Sequence, residues 1–251
     1  MGGAHDLAAL LARFPKTRPP LPPKLEAIYT QQYIENRGGE TTAASLSQRM
    51  ETWLHHQVAA DVKNARAAGA TLELGAGTLN QLAYEPAGGA YDIVEPFEAL
   101  YRDSPLVGGV RDTYADMADV PKGKVYERIT SVASLEHICD LPLVLARAAR
   151  LLAPGGGLRA AIPSEGGFLW TVGWMATTGL EFRLRHGLDY GDMMRHEHVN
   201  TAAEIEALVK ALFEDVEIKS FGLGRQLSLY RFIAAKSPRL DVAAAWEARF
   251  S

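Results

Sequence analysis

The stretch Thr71-Leu72-Glu73-Leu74-Gly75-Ala76-Gly77 constrains this chain more than any other. A short apolar run that stops on two glycines reads as a β-strand ending in a tight turn, because glycine adopts backbone angles that other residues avoid. Before it, Leu46, Met50, Leu54, Val58 and Val62 recur at helical spacing between Ala44 and Ala68. After it, strand patterns follow at Tyr91–Phe97, near Leu106–Arg111, from Tyr126, and at Leu158–Pro163. Leu141–Leu152 reads as a helix, ended by Pro154-Gly155-Gly156-Gly157. Two late strands, Asp215–Phe221 and Leu227–Ala235, are separated by Gly222-Leu223-Gly224. So short a link suits an antiparallel hairpin and excludes a crossover. Strands alternating with helices predict an α/β fold: a doubly wound, mainly parallel seven-stranded sheet, a C-terminal antiparallel hairpin, and helices on both faces.

Residues 1–43 read as an N-terminal extension, a short helix followed by the stiff segment Arg18-Pro19-Pro20-Leu21-Pro22-Pro23. Residues 44–251 read as one domain, with 165–200 as a long-loop insert rich in aromatic, Gly, Arg and His residues. At 251 residues, 47% apolar and 22% charged, the chain can bury a sizeable core. A formal net charge of -4 and no basic stripe argue against nucleic acid. No apolar run approaches the ~20 residues of a membrane span. Cys139 is the single cysteine, so no internal disulfide forms and a reducing, cytoplasmic setting is expected. Cys139 itself reads as a small packed residue, with a nucleophile as the alternative.

At the carboxyl end of the first strand, glycines let the backbone approach a ligand. Gly75-x-Gly77 alone would equally suit a plain strand-to-helix turn. Glu95 adds a second signal. It ends an apolar strand about 20 residues beyond Gly75, the place where nucleotide-binding α/β folds put an acidic acceptor for a ribose diol.

Together these residues resemble the class I S-adenosylmethionine (SAM)-dependent methyltransferases, whose fold is Rossmann-like. The resemblance covers Leu72 to Pro163, more loosely the hairpin. Leu72-Glu73-Leu74-Gly75-Ala76-Gly77-Thr78 is similar to the first motif of that family, with Glu73 as its acidic residue. Tyr91–Phe97 is similar to the second motif and Ala115-Asp116-Met117 to the third. The block from Ser131 to Pro163, with Leu135-Glu136-His137 and Leu152-Ala153-Pro154-Gly155-Gly156, is the most specific. The resemblance implies SAM as cofactor, bound by Glu73, Gly75, Ala76, Gly77, Asn80, Glu95, Pro96, Asp116, Met117 and Ala133. Leu79 departs from the pattern, standing where the family often has a third glycine, and Asn80 is the polar residue beside it. A nicotinamide-dependent oxidoreductase fits less well, because Asn80 replaces the last glycine of the dinucleotide fingerprint and Glu73 stands where a small or apolar residue is usual.

Methyl transfer needs alignment of acceptor and sulfonium, and a hydroxyl acceptor also needs a path for its proton. His137, His196 and His198 are the candidate bases. His137 is equally a packing residue near the cofactor. His196 and His198 could bind substrate, meet a metal ion as a His-x-His pair, or form hydrogen bonds at the entry of a helix starting at Thr201, where Glu204 has capping-box spacing. No third ligand is evident in the sequence, so no metal is assigned. Glu165, Trp170, Trp174, Arg183 and Arg195 in the insert are the candidate substrate contacts, although Trp170 and Trp174 also have the spacing of one packed helix face. Tyr29, Tyr33 and Arg37 are the candidate flap over the cofactor. The expected function is O-methylation of a small-molecule acceptor, a sugar of a surface polysaccharide or nucleotide sugar, or a secondary metabolite. An N-methyltransferase and a non-catalytic SAM-binding protein are the alternatives. The expected partner is the acceptor alone, without nucleic acid or membrane, and no oligomeric state is assigned.

Overall fold

The computed structural model describes residues 2–28, 45–63, 69–224 and 226–251. Tyr29, Tyr33 and Arg37 lie outside the described residues. Seven strands form one sheet in the order β3-β2-β1-β4-β5-β7-β6. They are β1 (Thr71–Leu74), β2 (Tyr91–Val94), β3 (Asp112–Tyr114), β4 (Tyr126–Val132), β5 (Leu152–Pro163), β6 (Phe213–Leu223) and β7 (Leu227–Pro238). The first five are parallel, while β7 runs antiparallel to both β5 and β6. From β1 the chain winds outward to β3, then returns across β1 to β4. The strand order therefore reverses between β1 and β4, and the crevice at their carboxyl ends is where such sheets bind ligands.

Two layers of helix cover the sheet. On one face α1 (Gly2–Leu11), α3 (Leu141–Leu151), α7 (Ala202–Leu212) and α8 (Leu240–Phe250) share a core with Leu72, Leu74, Ile129, Leu158, Ala160 and Ile162. On the other, Leu54 and Val58 of α2 (Ser45–Ala59) pack on Ala161 and Phe232. The alternation along β5 follows from successive strand residues pointing to opposite faces. Each large side chain so buried contributes about 1.5–3 kcal/mol. The N-terminal segment belongs to this core through Leu10, Leu11 and Phe14.

Three sequence expectations need correction. The third strand lies at Asp112–Tyr114, not Leu106–Arg111, which holds a short 3-10 turn at Val107–Gly109. The hairpin strands run further than expected, so Gly222 and Leu223 belong to β6 and the connection is residues 224–226. The insert is helical: α4 (Phe168–Trp174), a π turn at Met175–Gly179, α5 (Leu180–His186) and α6 (Tyr190–Glu197). The Thr201 capping box forms as expected. The Thr201 hydroxyl accepts from the Glu204 amide at 3.3 Å, and the Glu204 carboxylate accepts from the Thr201 amide at 2.8 Å. Such a cap stabilises a helix by about 1 kcal/mol.

Candidate active site

The carboxyl ends of β1, β2, β3 and β4 open into a cleft of about 630 Å³. Gly75, Gly77, Glu95, Pro96, Asp116, Met117, Ala133, His137 and His196 line it. A second cavity of about 350 Å³ shares Gly75, Gly77 and Ala133 with the first, and adds Glu73, Ala76 and Asn80. All ten residues expected to hold the cofactor therefore face one of two adjoining cavities.

The backbone explains the shape of this cradle. Gly75 has φ +68°, and a Cβ there would meet the Ser134 hydroxyl at 1.9 Å. Gly77 has φ +51° with open space around it. Leu79 and Ala133 also take positive φ, +68° and +47°, angles that strain residues bearing a Cβ. At Leu79 the sequence departs from the glycine pattern, but the backbone keeps the left-handed conformation that a glycine would favour. Burial of its side chain with Ala76, Tyr91, Ile93 and Tyr101 offsets that strain.

Glu95 joins the two turns. Its carboxylate accepts from the Gly77 amide at 2.9 Å and from the Phe97 amide at 3.0 Å. Each oxygen keeps a further lone pair for a ligand hydroxyl. Glu73 is buried below Gly75 and accepts from the Tyr91 hydroxyl at 2.8 Å. Burial pushes its pKa up to about 8. A carboxyl held protonated there would ionise readily beside an incoming ammonium. Asp116 sits at the rim, accepting from the Ala118 amide at 2.7 Å.

His137 and His196 line one side of the cleft, with His198 packed behind His137. The Nδ1 of His137 donates to the Glu197 carbonyl at 2.9 Å. Burial opposes charge on His137, yet Glu197 and Glu136 outweigh it and raise its pKa. His198 packs edge-on to His137, ring centroids 4.9 Å apart, and its Nδ1 lies 2.8 Å from the Glu165 carboxylate. Burial works against ionisation of Glu165, but His198 and Trp170 outweigh it and lower its pKa. His196 is held by the Pro19 carbonyl at 2.7 Å. The His196-x-His198 pair is therefore not brought together as a ligand set. Instead Glu136, His137 and His198 bring their ligand atoms within 4.8 Å of one another.

None of the five expected substrate contacts, Glu165, Trp170, Trp174, Arg183 and Arg195, lines either cavity. Glu165 and Trp170 form a pair behind the second cavity, Nε1 donating to the carboxylate at 2.6 Å, and the Trp170 ring meets His198 and Tyr230, of which Tyr230 lines that cavity. Trp174 packs on Tyr190 within the insert. Arg195 pairs with Asp192 on the exposed side of α6.

Sequence reasoning missed Arg18. From the proline-rich segment it donates to the carbonyls of His137 and His196, each at 3.0 Å, and it lines the cleft. Nothing in the sequence marks it apart from other arginines. It missed Asn200 as well, which donates to the carbonyls of Leu135 and Ile138 at 2.9 and 2.7 Å and so fixes the turn after β4.

No family model matches the sequence, and no curated protein matches it. Solved structures do. A possible exported protein from Bordetella parapertussis is 16% identical, with 94% of this chain and 85% of that one covered and a TM-score of 0.53. An O-methyltransferase family protein from Burkholderia thailandensis is 17% identical, with 94% and 70% covered and a TM-score of 0.52. The N-methyltransferase NodS from Bradyrhizobium japonicum WM9, in complex with S-adenosyl-L-homocysteine, is 12% identical, with 82% and 98% covered and a TM-score of 0.53. No helix among the described residues is long and apolar enough to cross a membrane. The strand order and these likenesses agree that the chain has the fold of the class I SAM-dependent methyltransferases.

Proposed function

We propose that this chain is a SAM-dependent methyltransferase acting on a hydroxyl of a small molecule, a sugar being the acceptor class that its cleft suits. One observation carries the reading: the Glu95 carboxylate, held by the amides of two turns at the strand-order reversal, presents its remaining lone pairs to the cleft. The open space beside Gly77 and the buried Glu73 suit the rest of such a cofactor.

In this reading Glu95 accepts from the ribose hydroxyls, Asp116 from the adenine amino group, and Glu73 with Gly75 and Ala133 faces the methionine end. Bound SAM supplies an electrophilic methyl group on a sulfonium. The protein's part is to align the acceptor and exclude water. Tyr230 offers an aromatic ring to the second cavity, backed by the Trp170–Glu165 pair, which suits a hydroxylated ring. A hydroxyl acceptor must lose its proton, and the cluster of Glu136, His137 and His198, which reaches the cleft through His137, is the group equipped to promote that.

The test is calorimetric titration with S-adenosylhomocysteine and, separately, NAD, repeated on Glu95→Ala. Saturable binding of the first alone, weakened in the variant, is the expected result. Preference for NAD, or no binding of either, overturns the reading. A screen of sugar nucleotides, phenols and amines as acceptors then separates O- from N-methylation.

A further inference from the structure

We propose that Glu136, His137 and His198 form a site for one divalent transition-metal ion, of the zinc or iron(II) class, beside the cleft. The three ligand atoms lie within 4.8 Å of one another. Ligands about 2.0–2.2 Å from zinc stand roughly 3–4 Å apart, so closing this set takes about an ångström of side-chain movement.

Two features separate this cluster from a chance meeting of polar groups. The first is how the imidazoles are held. A carbonyl oxygen can only accept, so His137 Nδ1 carries the proton it gives to Glu197. His198 Nδ1 faces the Glu165 carboxylate and donates likewise. Nε2 is then the nitrogen each ring has left for a ligand. Metal-binding histidines are oriented in this way, with the far N–H on a carboxylate or carbonyl. Trp170 in turn holds Glu165, and Asn200 donates its amide to the Glu136 carbonyl at 3.0 Å.

The second feature is Glu136 itself. It is 1% exposed, and its Oε2 has no hydrogen-bond partner among the described residues. Its Oε1 stands 3.7 Å from His137 Nε2, too far for a hydrogen bond. A plain histidine–carboxylate pair would have closed that gap. A buried carboxylate left short of partners beside two oriented imidazoles is what a site lacking its cation looks like. Two imidazoles with one carboxylate select zinc and its first-row neighbours over Mg²⁺ or Ca²⁺, which prefer oxygen donors. The set leaves positions for water or for an oxygen of the acceptor, whose proton such an ion would loosen. That last role rests on the methyl-transfer reading; the ion site does not.

The experiment uses the full chain, stripped with chelator and titrated with Zn²⁺, with Co²⁺ as a visible probe, and with Mg²⁺. One equivalent of Zn²⁺ or Co²⁺ should bind, and Mg²⁺ should not compete. Glu136→Gln and His198→Ala should each weaken Co²⁺ binding at least tenfold. Glu165→Gln, which leaves all three ligands in place, should weaken it by about 10–100-fold. Titration of every variant with S-adenosylhomocysteine checks that the fold survives. No stoichiometric binding by the wild-type chain, or binding that Glu136→Gln and His198→Ala leave unchanged, overturns the site. Zinc without S-adenosylhomocysteine binding would keep the site and overturn the methyl-transfer reading; the converse result would do the reverse.

Discussion

Two clusters of buried charge lie against the same sheet and are finished to different degrees. Around Arg128 every donor is used. Its Nε donates to Asp61 at 3.1 Å, one Nη to Glu85 at 2.6 Å, and the other to the Val58 carbonyl at 3.0 Å. Arg159 closes the group on Asp61 at 3.1 Å and on the carbonyls of Val58 and Gln57. Around Glu136, by contrast, two histidines are firmly held from behind while a carboxylate oxygen has no partner among the described residues. Unmet hydrogen-bonding capacity in a buried group costs about 1–3 kcal/mol, so folding alone does not favour it. The first cluster is complete in the chain itself. The second makes sense when a ligand completes it.

The largest test of that contrast is Arg128→Met. It strands the buried Glu85 carboxylate without its ion-pair partner, while Asp61 keeps Arg159, and removing one partner of a buried pair costs about 3–5 kcal/mol. Urea unfolding should show a loss of that size, and a loss under 1 kcal/mol would mean that the cluster is not the anchor described.

Glu73 is an intermediate case, with one partner, Tyr91. Burial raises its pKa to about 8 in the folded chain, against 4.5 for a solvated glutamate. The unfolded chain therefore releases this proton first as pH rises. The contribution of Glu73 to stability should be full below about 4.5 and fall, by at most a few kcal/mol, as pH climbs to about 8. Melting temperatures across that range should show the fall, and Glu73→Gln should flatten it. An unchanged slope in the variant assigns the effect elsewhere.

Next in size is Glu95→Ala. Hydrogen bonds to a charged group contribute roughly 1.5–3 kcal/mol each, so S-adenosylhomocysteine should bind about 10–100 times more weakly. Calorimetry on the folded variant decides this, and equal affinity would remove Glu95 from the cofactor site. The smallest effect belongs to Glu136→Gln. In chelator-stripped protein it should change unfolding free energy by less than about 1 kcal/mol, in either direction, because little is lost with an unsatisfied carboxylate. A cost as large as that of Arg128→Met would erase the difference between the two clusters.

What the sequence made legible follows from local chemistry. Glu95 stood out because a charge ending an apolar strand has few other uses. Thr201 and Glu204 form a cap whose parts lie three residues apart. β3 was misplaced because it is short and only partly buried, which leaves no apolar run to read. The insert passed for a loop because its helices hide their usual signal. Phe168, Met175 and Leu184 are exposed, at 63%, 55% and 79%, so no clean apolar stripe faces inward. The π turn at Met175–Gly179 also shifts the spacing partway along. Glu136 could be read as part of a motif, but its meeting with His198 exists only once α6 has packed beside the turn after β4.

Arg18 carries a consequence for how the cleft comes into being. Its contact with His196 spans 178 residues of sequence. Bringing ends that far apart together costs about 4–5 kcal/mol of chain entropy, beyond a constant, before any contact repays it. Contacts of this separation tend to form slowly. The wall made of Arg18, His196 and Glu197 is therefore expected to close on a sheet already formed, which shortens the loop that its contacts must span.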